Sequence, residues 1–306
     1  MLVVKPIGAG TFAGRRDVAT RPAVRLPTPI PQAPGRQVHV GPIPARGAVV
    51  ARIMTSTSSN PAFTFGKVDE ALSESRRGGP PMTVDGAVQK TGLLLAVAVA
   101  SAVATWVQIA SGNAAAMLAA SKGAGVVALI SAFATMFKPQ WSMGTSLVFS
   151  AAQGVAMAGM SVFLEMLYPG IVLNALMLTF GTAASLLVAF QARLIRVTDK
   201  FRDGVLMVTG GYFAAMLLGW VMSLFGVKLP SMLSAGPLGI GLGLVAASLA
   251  AANLLLDFDM IRSASRARMP KWFEWYGAFS LMMTLVWMYT EVLRLLTMFA
   301  RGNSDN

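Results

Sequence analysis

The chain has 306 residues, of which 55% are hydrophobic and 12% charged. A soluble domain carries about twice that charge density, so most of this chain is built to avoid bulk water and reads as a membrane protein. It has no Cys, hence no disulfide, thiolate metal site or cysteine nucleophile, and its single His, His39, lies in the N-terminal tail.

The net charge of +12 is unevenly spread. Residues 1–54 hold Lys5, Arg15, Arg16, Arg21, Arg25, Arg36, Arg46 and Arg52 against Asp17 alone, together with eight Pro. An Arg-rich, acid-poor segment without a contiguous apolar core reads as a disordered organelle transit peptide, not a secretory signal. Its prolines and near-lack of aromatics argue against a folded nucleic-acid-binding module. The run from Pro22 to Pro34 interrupts the long amphipathic helix of a mitochondrial leader and favours a plastid, whereas the absence of Ser before Ser56 keeps the mitochondrion open. Residues 55–90 form a polar lead-in, with one short helix expected from Lys67 to Arg77.

Crossing a bilayer core takes about 20 apolar residues as a helix. Residues 91–301 accommodate seven such spans, at Thr91 to Ala110, Leu118 to Phe137, Ser142 to Leu164, Gly170 to Phe190, Gly204 to Phe225, Ser231 to Ile261 and Trp272 to Phe299, leaving 302–306 as a tail. The expected fold is therefore all-α, a seven-span bundle behind a disordered tail. Lys and Arg in the connections fall mostly on one side, with Lys90, Lys138, Arg193, Arg196, Lys200, Arg202, Arg262 and Lys271 among them, against Lys122, Lys228 and Arg301 on the other. This bias places the N-terminus in the stroma or matrix. Gly154, Gly159, Gly210, Gly211, Gly239 and Gly243 are expected to let helices approach closely.

Acids inside a span cost about 2.5 to 3.5 kcal/mol at its centre and are functional candidates by default. Asp257, Asp259 and Glu291 qualify, while Glu165 lies just past span three, where a solvated interfacial carboxylate is the ordinary reading. Residues two apart on a helix point about 200° from each other, so only one of Asp257 and Asp259 faces span seven. Asp259 and Glu291 come to one depth only if span seven starts late, with Lys271 to Ala278 as a re-entrant or interfacial segment. Two carboxylates in one low-dielectric site would share a proton that Ca²⁺ could displace. The alternative is that Glu291 pairs with Arg294 at i, i+3, while Asp257 or Asp259 pairs with Arg262 or caps near the interface.

Several segments in order carry a family resemblance: Ser59-Asn60-Pro61-Ala62-Phe63, Met82-Thr83-Val84-Asp85-Gly86, Tyr168-Pro169-Gly170-Ile171-Val172, Ile195 to Arg202, Ser234 to Ile240, Leu256-Asp257-Phe258-Asp259 and Glu274-Trp275-Tyr276. Over about Ser58 to Phe299 the chain resembles the Bax inhibitor-1/YccA-like family, in a bacterial-type branch. The resemblance implies that span seven is central, surrounded by the other six. It also implies a pH-sensitive Ca²⁺ leak gated by acids on spans six and seven, with Asp259 and Glu291 in those places and Asp257 second. Two departures stand out: the span-seven acid is Glu, and a family Glu-Gly on span three is here Gln153-Gly154, which makes Gln153 a pore-lining candidate with less attraction for cations.

Two functions compete. One is a proton-gated Ca²⁺ leak in an organelle membrane, with Asp259 and Glu291 as its metal ligands. The other is a non-conducting regulator that binds a membrane protease or assembly factor, with Thr55 to Lys90 as the handle. No cofactor is expected, and the only partners otherwise implied are the lipid bilayer and H⁺. Catalysis is not expected, because Gly144-Thr145-Ser146 has no histidine base and the spans have no His metal ligand.

Overall fold

The computed structural model describes residues 79–225 and 237–304, all within one unit, Pro44–Asn306. The expected helix at Lys67 to Arg77, the residues through Gly78 and the start of span six before Pro237 lie outside the described residues. The elements are α1 Val84–Gln108, a π turn Ile109–Asn113, α2 Ala114–Phe137, a 3₁₀ turn Pro139–Trp141, α3 Ser142–Leu167, α4 Ile171–Gln191, α5 Asp199–Leu224, α6 Pro237–Arg266 and α7 Phe273–Ser304.

Local chemistry sets these boundaries. Thr83 caps α1, its hydroxyl accepting from the Gly86 N–H at 3.0 Å, with Asp85 favourable in the first turn. Glu165, read as an interfacial carboxylate, folds over the α3–α4 corner and accepts from the N–H groups of Gly170 at 2.6 Å and Val172 at 3.0 Å, donors that the start of a helix leaves unpaired.

By length and hydropathy the described residues contain six apolar helical runs long enough to cross a membrane, not the expected seven. The difference lies in the first, which runs from Val84 to Phe137 for 54 residues. At 1.5 Å per residue that is about 81 Å, well over twice a hydrocarbon core of roughly 30 Å. Gly112, at φ +100°, breaks the run in a conformation that suits glycine, and no extended loop separates the halves. α1 starts seven residues before the expected first span, because residues Asp85 to Lys90, with Ala87 buried in the core, form its first turns.

α7 is the most buried of these helices. It packs chiefly on α6, α1, α4 and α3 rather than equally on all six neighbours. α3 lies against α1 and α2. A Cβ at Gly154 would run into the Ala98 carbonyl and Ser101, and one at Gly159 would meet Ser121 at 2.5 Å. The expectation of close approach fails at Gly210 and Gly211, around which a Cβ would find open space because α5 turns that side away from the bundle. Ser142 donates to the Trp272 carbonyl at 3.3 Å, and the Met82 N–H to the Met269 carbonyl at 2.8 Å. The start of α1, the α2–α3 turn and the α6–α7 turn therefore share one end of the bundle.

Candidate functional site: buried carboxylates of α6 and α7

α6 and α7 form an antiparallel hairpin whose register follows from two contacts, Gly243 against Leu295 and Ile261 against Gly277. Between them lies Asp257, with no exposed surface. Its Oδ1 accepts from Ser280 Oγ at 2.8 Å and its Oδ2 from Thr284 Oγ1 at 2.5 Å. Ser280 and Thr284 are one turn apart on α7, so both hydroxyls point at the same carboxylate. Of the two aspartates it is Asp257 that faces α7.

Asp259 points away, toward α5. There Arg202, Val205, Thr209 and Tyr212, spaced by three, four and three residues, form one helical stripe. Arg202 Nη2 lies 2.6 Å from Asp259 Oδ2. Asn253 Nδ2 donates to Thr209 Oγ1 at 2.8 Å, and Tyr212 Oη donates to Glu291 Oε1 at 2.5 Å. Val205 packs with Leu249 and Leu256 between these polar contacts. Glu291 also accepts from Trp287 Nε1 at 3.2 Å and forms an ion pair with Arg294. α5 is thus tied to the α6–α7 hairpin by a ladder of polar groups.

The structure does not bring Asp259 and Glu291 together. In the hairpin register Asp259 lies level with Phe279, and Glu291 is twelve residues further along α7, about 18 Å by helix rise. The late start of span seven that would have aligned them does not occur, since α7 begins at Phe273 and residues 273–278 are its first turns. The shared proton and the Ca²⁺ site across this pair are therefore not formed. Glu291 follows the alternative reading, with Arg294 at i, i+3, but Asp259 takes its cation from α5. Among the described residues no group of three or more His, Cys, Asp or Glu side chains could hold a metal ion. Gln153, the pore-lining candidate, lines an apolar cavity among α1, α3, α4 and α7, whose lining includes none of the three acids.

A fourth carboxylate escaped the sequence reading because it sits where a span begins. Glu274 is fully buried. It pairs with Lys90 and, at 2.8 Å, with Lys271, and accepts from the Thr83 N–H at 2.8 Å and Thr83 hydroxyl at 3.0 Å. Lys90 also lies 5.4 Å from the ring centre of Trp275. Thr83 and Lys90, expected as part of a free handle, are bound into this cluster, and Met82 is buried. Ser280, Thr284, Arg202 and Tyr212 were likewise missed, although the stripe spacing on α5 and the Ser280/Thr284 spacing on α7 are visible in the sequence.

Long apolar helices packed around α7, with their carboxylates turned inward onto hydroxyl and cationic partners, define a multi-span helical membrane protein. The chain matches the family model described as Bax inhibitor 1 like over residues 51–301, and it belongs to that family. No curated protein and no solved structure matches it.

Proposed function

We propose that the chain is a cation leak whose opening is set by protonation of Asp257. The observation that carries this reading is the complete burial of Asp257 between α6 and α7, with each carboxylate oxygen held by an α7 hydroxyl. A carboxylate that accepts at both oxygens is bonded as the charged form. Adding a proton turns one oxygen into a donor, so the Ser280 or Thr284 hydroxyl it meets must turn round to accept, both bonds lose their charge-assisted strength, and the hairpin loosens. Acid thereby opens the pathway, and the sealed arrangement is the closed state. Asp259 and Glu291 act separately, each holding α5 to the hairpin through Arg202 or Tyr212. Ca²⁺ is the permeant cation in this reading, and no catalytic activity is assigned.

The 54-residue helix, bent at Gly112, crosses twice, giving seven crossings. Residues 1–54, nearly all of them ahead of the family match, serve as a leader to an organelle membrane, a plastid one in preference to the mitochondrial inner membrane. Lys90, Lys271 and Arg202 lie at the bundle end that faces the stroma or matrix, in accord with the charge bias. The alternative is a non-conducting regulator that binds a membrane protease or assembly factor, with Thr55 to Lys90 as its handle, bound to the bundle at Thr83 and Lys90. The test is Ca²⁺ release from liposomes holding the purified chain: release should rise as pH falls, and release no faster than from empty liposomes at every pH would reject the leak.

A further inference from the structure

A cluster of guanidiniums gathers where the end of α6 meets α4 and α5. Arg202 of α5 lies 2.6 Å from Asp259 of α6. Arg262 and Arg266 follow Asp259 on the same helical face, three and seven residues on, and their charges also act on its carboxylate. One acid is thus set against three cations. Asp199 and Asp203, exposed on the first turns of α5, are outnumbered by the exposed Arg193, Arg196 and Lys200 of the same stretch. The corner stays net positive by either count.

Lys and Arg that only fix topology reach out into water. This cluster turns inward. Arg202 is buried at 9% exposure, and Arg262 is half-buried with its guanidinium 5.6 Å from the ring centre of Phe190 on α4. Arg202 gives a hydrogen bond to Asp259, whereas Arg262 and Arg266 form no ion pair or side-chain hydrogen bond among the described residues. Donors therefore remain for a group outside the chain.

Arg202 lies in the first turn of α5 and Arg262 near the end of α6, so the cluster sits where spans leave the hydrocarbon. α4 and α5 each lie against α6 but scarcely against each other, which leaves a cleft over α6. Phe190 meets Phe258 there, with ring centres 6.0 Å apart, and supplies an apolar floor beside the guanidiniums. An anionic head on an apolar body matches this corner. A phosphodiester accepts paired N–H bonds from guanidinium planes, and basic pockets between helices bind anionic lipid headgroups. The geometry points to a binding site for one anionic phospholipid in the α4–α5–α6 cleft, its phosphate held by Arg202, Arg262 and Arg266 and its chains passing Phe190 and Phe258. The site is separate from Asp257 and needs no ion flux.

The test counts lipids on the full chain by native mass spectrometry from detergent micelles, with phosphatidylglycerol titrated against phosphatidylcholine. One phosphatidylglycerol should bind before any phosphatidylcholine. Arg262→Gln/Arg266→Gln leaves the Arg202–Asp259 pair in place, so its lipid-free melting temperature should match that of the parent. It should weaken the first binding about 25-fold, roughly fivefold for each charge near a membrane surface. Lys122→Gln/Lys138→Gln removes as much charge elsewhere and should leave that affinity unchanged. Equal affinity for phosphatidylglycerol in the arginine variant and the parent would overturn the proposal. An equal loss in the lysine variant would also overturn it, reducing the site to a diffuse basic rim. So would inorganic phosphate that displaces the lipid at equal concentration, since the site would then be one for the free anion.

Discussion

Replacing Glu274 by Gln tests whether the buried ion cluster holds the start of α1 to the α6–α7 turn. Gln keeps an oxygen for the two Thr83 bonds, so the loss is confined to charge. Lys90, whose side chain is 18% exposed, loses its partner. Removing one side of a fully buried pair costs about 3–5 kcal/mol, and the partial exposure of Lys90 lowers this to roughly 2–3 kcal/mol. Lys271 is half exposed, so its share is at most about 1 kcal/mol. The sum is about 3 kcal/mol. At about 2–4 °C per kcal/mol for a body of this size, the melting temperature should drop by about 6–12 °C. The assay is a fluorescence melt in detergent, run as a cycle with Lys90→Met. The double variant should recover about 2 kcal/mol relative to the sum of the singles. A drop below about 2 °C, or strict additivity, would refute the assignment of Glu274 and Lys90 as a coupled buried pair.

Asp259→Asn and Glu291→Gln should change melting temperature additively, within about 0.5 kcal/mol, because the two acids sit in separate clusters; a coupling above about 1 kcal/mol would point back to a shared site. Gly154→Ala should destabilise by about 1–3 kcal/mol, since the new methyl meets backbone on α1. Gly210→Ala, with open space around it, should be neutral or slightly stabilising through helix propensity, and a thermal melt of the pair separates the two cases.

The helices were legible in the sequence because hydropathy alone marks them. The described part of span six ends at Arg266 against an expected Ile261, and α4 and α3 match their expected limits to within a few residues. Gly112 was not legible as a kink that joins α1 to α2 without a loop, because a glycine between two apolar runs looks the same in a loop. The opposed directions of Asp257 and Asp259 followed from helix periodicity and hold in the structure. What each of them meets did not follow. Arg202 lies 57 residues from Asp259 and Ser280 lies 23 from Asp257, and no local spacing reports contacts between helices. The position of Glu291 along the hairpin depended on a tight α6–α7 turn. That turn is fixed by Met82, Pro81 and Glu274, from the far end of the chain and from α7 itself.

The measurement that bears most directly on the carboxylate switch is the pH profile of Ca²⁺ release for Asp257→Asn beside Asp259→Asn and Glu291→Gln, each in liposomes at matched protein density. Asn keeps the shape of Asp257 but cannot take up the proton, so its profile should be flat, whereas the other two should keep a rise on acidification. A full acid response in folded Asp257→Asn would contradict the account, whatever the other two variants do.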